Sequence, residues 1–118
     1  MVNYKDDALD TLFSALSDST RRAMLRRLAD GEMSVMDLAE PFDISKPAVT
    51  KHLKVLEKAG LLKRRVDGRI HHCRLVAEPL NDAAQWITFY EQFWNKKLDS
   101  LDAYLKKENA KKRRQGKR

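Results

Sequence analysis

The chain has a single cysteine, Cys73, among its 118 residues. One thiol excludes an internal disulfide and any site built from several thiolates of one chain. Its four glycines form no phosphate-cradling loop. No cluster of carboxylates beside a histidine, and no nucleophile with a base, stands out among the remaining residues, so catalysis is not expected. No apolar run approaches the roughly 18 residues that a membrane span requires. The opening MVNYKDDALD is acidic where a secretory signal would be basic and then apolar, which points to a cytoplasmic protein.

What is present is a globular balance, 42% hydrophobic and 35% charged. This length predicts one domain with one core, small enough to gain from a partner surface. The net charge of +7 is unevenly laid down. Residues 1–45 carry 5 basic and 9 acidic groups, residues 46–74 carry 9 and 2, and residues 75–105 carry 2 and 5. The last stretch, KKENAKKRRQGKR, has 8 basic groups against one acidic. There are therefore two basic zones, one internal and one terminal, and a strongly basic segment marks a nucleic-acid partner.

Leu9, Leu12, Phe13 and Leu16 recur at helical spacing and predict a first helix over about 5–16. Asp18 caps a second, with Met24, Leu25 and Leu28 on one face and Gly31 as its stop. Ser34 and Asp37 open a short third helix that Pro41 closes. Asp43 and Ile44 form a turn, and Ser45 caps a fourth helix over about 46–59, with Pro47 in its first turn and Gly60 past its end. Leu61–Val66 and Arg69–Val76 read as strands joined at Asp67 and Gly68, an Asp-Gly hairpin signal. From Pro79 a long helix runs to about Leu105, and residues 106–118 read as a disordered basic tail. The fold class is mainly α with a small β-hairpin, in the order helix, helix, helix, helix, strand, strand, helix. A tight pair of helices followed by a basic hairpin is the winged helix-turn-helix.

Helical geometry divides the fourth helix. Val49, Leu53 and Leu56, with Ile44 before them, form the stripe that must be buried. Pro47, Thr50, Lys51, Lys54 and Lys58 gather on the other side, with Lys46 at the first turn. A major groove of double-stranded DNA accepts a helix whose N-terminal residues reach base edges while lysines meet phosphates. Lys46, Pro47, Thr50 and Lys51 are therefore groove candidates, Lys54 and Lys58 phosphate candidates, and the cap residue Ser45 is included among the DNA-contacting candidates. A solvated lysine face would look the same alone, but here a basic hairpin adjoins it. His52 sits roughly 60° from the buried stripe, where it would touch phosphate or pack at the helix edge, and it is included among the DNA-contacting candidates. In the hairpin, Lys63, Arg64, Arg65, Arg69 and Arg74 surround the turn; Arg65 and Arg69 flank the tip and are candidates to enter an adjacent minor groove or contact its backbone, Arg69 beside Gly68 foremost. The same arginines would also protect an edge strand from pairing.

His71, His72 and Cys73 do not make a metal site, because alternate strand residues face opposite ways and only His71 and Cys73 share a side. A redox role for Cys73 lacks a second thiol. No metal or other cofactor is expected. The last helix carries more apolar surface than a small domain needs: Trp86, Phe89, Tyr90, Phe93, Trp94, Leu98 and Leu101 cover a wide face that a second copy of the chain would bury.

FSALSDSTRRAMLRRL (13–28) and SVMDLAEPFDISKPAVTKHLKVLEKAGLLKRRVDGR (34–69) resemble the ArsR family of winged-helix repressors. The resemblance extends over about residues 9–105. It implies a homodimer built from the first and last helices, which adds Leu9, Leu12 and Phe13 to the interface, and repression by occupation of a promoter. It also implies that the stretch beginning at Ser45 is the recognition helix. Metal sensors of that family carry two cysteines where Ser34 and Met36 stand here, and the last helix has no histidine, so arsenic, cadmium or zinc sensing is not expected. Two other readings stay open on sequence. One is a protein-interaction module using the aromatic helix; the other is a nucleic-acid binder indifferent to sequence.

Overall fold

A computed structural model of the chain describes residues 4–116. The elements are α1 (Tyr4–Leu16), α2 (Ser19–Leu28), β1 (Met33–Ser34), α3 (Val35–Ala39), α4 (Lys46–Lys58), β2 (Leu62–Asp67), β3 (Ile70–Leu75) and α5 (Glu78–Gly116). The expected order holds, with one addition. The two-residue β1 pairs antiparallel with β3, so the sheet has three strands in the order β1-β3-β2. The chain divides into two compact units, one closing at Ala83 and the other beginning at Ala84.

In the first unit the core is built from one stripe of each helix. Leu12 and Ala15 of α1, Met24 and Leu28 of α2, Leu38 of α3 and Leu53 and Leu56 of α4 are all buried, and Leu61, Leu62 and Cys73 complete it from the sheet side. Each of α2, α3 and α4 starts at a short polar side chain that satisfies an orphan backbone donor. Asp18 Oδ2 accepts from Arg21 N–H at 3.0 Å, Ser34 Oγ from Asp37 N–H at 3.1 Å and Ser45 Oγ from Ala48 N–H at 3.3 Å. Burial of Leu12 at 2% exposure removes it from the expected dimer surface. The face of α1 that carries Leu12 and Ala15 points into its own core, while Leu9 and Phe13 are partly buried at its margin.

In the second unit α5 continues as helix through residues 106–116, the segment expected to be a disordered tail, while 117 and 118 lie outside the described residues. Lysine, arginine, glutamate, glutamine and alanine are good helix formers, and Lys106 pairs with Asp102 one turn back at 3.1 Å. Polar composition alone therefore did not end the helix. Among the described residues no helix is long and apolar enough to cross a membrane.

Candidate nucleic-acid interface

The rotation of α4 is fixed by Val49, Leu53 and Leu56, all buried. Its opposite side is consequently solvent-facing. Ser45, Lys46, Pro47, Thr50, Lys51, Lys54 and Lys58 are all exposed. Lys46, Pro47, Thr50, Lys51 and Lys54 together line one shallow depression on that side. Pro47 costs the helix nothing in its first turn, where the missing N–H would have had no partner. Thr50 Oγ1 donates to Lys46 O at 3.1 Å. Among the described residues no carboxylate lies within ion-pair distance of Lys46, Lys51, Lys54 or Lys58. Such a face is a set of cations without protein counter-ions.

The wing is tied rigidly to the end of this helix. Gly60, at φ +75°, takes the left-handed conformation that closes α4; its N–H donates to Glu57 O at 2.9 Å and the Leu61 N–H to Leu56 O at 3.0 Å. Leu56 and Leu61 are both fully buried, so the chain leaves the helix along one path into β2. Arg64 then reaches back to Glu57, with Nη2 2.7 Å from Oε1. The register pairs Asp67 with Ile70, so the two-residue tip is Gly68-Arg69, one residue later than the sequence reading placed it. Glycine first, at φ +62°, with an ordinary residue second, is the pattern a type II′ turn requires. The pairing of Leu62 with Leu75 at the core end fixes this register and carries Arg69 itself to the apex.

Strand alternation separates the remaining arginines. Arg64 shares the inward side with Leu62 and serves the α4 joint, whereas Lys63, Arg65, His72 and Arg74 share the outer side, Lys63 opposite Arg74 and Arg65 opposite His72. Among the described residues, the carboxylate that pairs there is Glu32, 3.3 Å from Arg65 Nε. That four cationic or imidazole groups form one face depends on strand register, which a run of basic residues around a turn does not reveal.

A helix-turn-helix domain model matches residues 16–65, which span α2 to β2. The chain is 35% identical over 79 residues to the transcriptional repressor SdpR of Bacillus subtilis, covering 67% of this chain and 88% of that protein. It is 40% identical to the HTH-type transcriptional regulator Rv2034 of Mycobacterium tuberculosis, covering 75% of this chain and 80% of the other. A crystal structure of the ArsR family transcriptional regulator RHA00566 superposes with a TM-score of 0.73 at 36% identity, over 80% of this chain and 97% of that one. This chain belongs to the ArsR family. It is a helix-turn-helix transcriptional regulator, not an enzyme.

Within this ArsR fold, His52 is placed away from the lysine face. Its side chain is only 18% exposed and its Nδ1 lies 3.3 Å from Arg21 Nη1 and 3.8 Å from Asp18 Oδ2. It packs at the helix edge, against α2, which corrects its inclusion among the DNA-contacting residues. Cys73 is fully buried, opposite Met33 in the sheet, and burial pushes its thiol up, with the carboxylates of Glu57 and Glu32 adding to the effect and Arg64 opposing it. That is a structural cysteine with little thiolate character. His71 is exposed nearer the wing tip. At the two positions where ArsR-type metal sensors carry cysteine, Ser34 is the cap of α3 and Met36 is 84% exposed.

The second unit has its own signature. Phe89, Tyr90, Phe93, Trp94, Leu98 and Leu101 of α5 are exposed by 44–63%, and Tyr104 and Leu105 extend the apolar side further. Neighbouring rings touch along the helix: Trp86 with Tyr90 at 4.6 Å between centroids, Phe89 with Phe93 at 5.6 Å. Past Leu105 the helix turns basic, with Lys106, Asn109, Ala110 and Arg113 lining a shallow depression.

Proposed function

We propose that this ArsR-family chain acts in the cytoplasm as a homodimeric repressor that occupies an inverted-repeat site in double-stranded DNA. The observation that carries the reading is the exposed, counter-ion-free face of α4 joined through Gly60 and Arg64 to a wing with Arg69 at its apex. In this reading Lys46, Pro47, Thr50 and Lys51 enter the major groove, and Lys54 and Lys58 meet phosphates. Arg69 enters the neighbouring minor groove and Arg65 lies along its backbone. The exposed side of α5 around Phe93, Trp94, Leu98 and Leu101 supports a second copy as the cover, since so wide an apolar surface is far beyond scattered exposure. Two-fold pairing then presents recognition helices to major grooves about 34 Å apart.

The test uses duplexes that the protein selects from a random-sequence pool, compared with random duplex. Lys51→Ala and Thr50→Ala are expected to lower the ratio of selected to random affinity by about tenfold, the scale of one base contact. Lys58→Ala should weaken both alike and reduce the salt slope by about one. An unchanged ratio in Lys51→Ala would assign recognition to another face, and failure to enrich any sequence would favour an indifferent binder.

A further inference from the structure

The residues that hold α4 in place are as specific as those that it presents. Arg21, in the first turn of α2, divides its guanidinium among three partners. Nε donates to Ala15 O at 2.8 Å, Nη2 to Ser14 O at 3.0 Å and Nη1 to His52 Nδ1 at 3.3 Å. The first two acceptors belong to the last turn of α1, where Ser14 O also accepts from Ser17 N–H at 3.2 Å and Ser17 Oγ at 2.6 Å. The third belongs to α4. Asp18 completes the cluster, accepting the Arg21 backbone N–H at 3.0 Å with an oxygen 3.8 Å from the same imidazole nitrogen. Three helices thus meet through one side chain. Arginine has donors only, so in this contact the guanidinium donates and the acceptor is Nδ1 of His52.

We propose that Asp18, Arg21 and His52 form a joint that sets the seating of α4 on α1 and α2, and that His52 is a positioning residue for sequence recognition. His52 lies between Lys51, which faces solvent with the basic side, and Leu53, which is 1% exposed in the core. The apolar stripe fixes the rotation of α4 but has no directionality; a slide along the helix axis preserves apolar contact. A hydrogen bond from a guanidinium that is itself anchored at two carbonyls does not tolerate that slide, because its strength falls steeply with distance and angle. Base-edge contacts demand placement of this kind, whereas phosphate attraction does not. Loss of the joint should therefore lower discrimination while leaving general affinity intact.

The inference rests on the DNA-binding reading, and the experiment separates the two by carrying Lys51→Ala in parallel. Selected-to-random affinity ratios are measured for His52→Leu, His52→Asn and Arg21→Lys, each with its thermal unfolding curve. Leucine removes the acceptor. Asparagine restores one close to Nδ1 at similar helix propensity, and lysine keeps the charge of Arg21 without its fork. The expected result is a fall in the ratio of about tenfold for His52→Leu and Arg21→Lys, with random-duplex affinity unchanged and His52→Asn within about threefold of the parent. A full ratio in either His52→Leu or Arg21→Lys overturns the proposal, as does a cooperatively folded His52→Asn no better than leucine. If His52→Leu does not fold, the Arg21→Lys loss and the His52→Asn retention decide. Should Lys51→Ala also leave the ratio untouched, the DNA-binding reading fails first.

Discussion

Residues up to Ala83 and the length of α5 beyond it both carry many large apolar side chains, and they dispose of them in opposite ways. In the first stretch Leu12, Met24, Leu38, Leu53, Leu56 and Leu61 are buried almost completely, drawn from four helices and the start of a sheet. In the second, Phe93 and Trp94 remain 58% and 63% exposed on a single helix. A lone helix has nothing on its own to bury a face that wide, and most helical stability in proteins comes from packing such a face against something. The first stretch buries those leucines and Met24 within itself, and the second leaves its large apolar side chains at the surface.

The sharpest way to break that contrast is to remove side chains from each. Leu53→Ala is expected to cost about 2–5 kcal/mol, read as a loss in thermal or urea unfolding that does not depend on protein concentration. Trp94→Glu should leave the winged-helix core folded and instead raise the dimer dissociation constant by at least about a hundredfold in analytical ultracentrifugation. If Trp94→Glu proved as damaging to the core as Leu53→Ala, the two regions would be one cooperative unit. If it left the oligomeric state untouched, the cover of α5 would be something other than a second copy.

How much of this is legible in the sequence follows the same division. The core stripes of α2 and α4, the caps at Asp18, Ser34 and Ser45, and the glycine that closes α4 are local signals, and the structure has each where spacing and cap chemistry put it. What sequence reasoning misjudges depends on partners distant in the chain. β1 is two residues long and exists because β3 lies beside it. The wing tip slips by one residue because the register is set by Leu62 against Leu75 and not by the Asp-Gly pair. His52 has the same angular position whether it faces phosphate or α2, and Arg21, 31 positions away, decides between them. Leu12 enters the interface by resemblance, against the evidence of its own stripe. For the site, the lysine face is legible because it lies on one helix; the outer face of the wing is not.

A smaller effect sharpens the comparison at the far end of α5. Residues 106–116 continue a helix and carry lysine or arginine at 106, 107, 111, 112, 113 and 114. Removing residues 106–118 is expected to leave core stability and sequence preference in place and to flatten the salt dependence of DNA binding. The flattening should be about 0.9 in slope for each phosphate that is no longer neutralised. Loss of preference on truncation would make this end part of the reading machinery rather than an electrostatic aid.

The smallest expected effect lies in the first region, at the joint on α2. The Arg21 backbone N–H holds the Asp18 carboxyl below its ordinary value of 3.8, helped by His52 and the Arg21 guanidinium and opposed by partial burial. A carboxylate whose folded value is depressed contributes stability above its unfolded value, and loses it as the pH falls through the folded one. Asp18→Asn isolates this charge, since asparagine caps a helix as well as aspartate does. The variant should melt below the parent at neutral pH by no more than about 5 °C, the group being partly solvent-screened. The two melting curves should converge once the pH drops well under about 4 and the parent's carboxyl is protonated too. A gap that persisted undiminished in acid would show that Asp18 works through the shape of its cap and not through its charge, and would remove electrostatics from the account of how α2 grips His52.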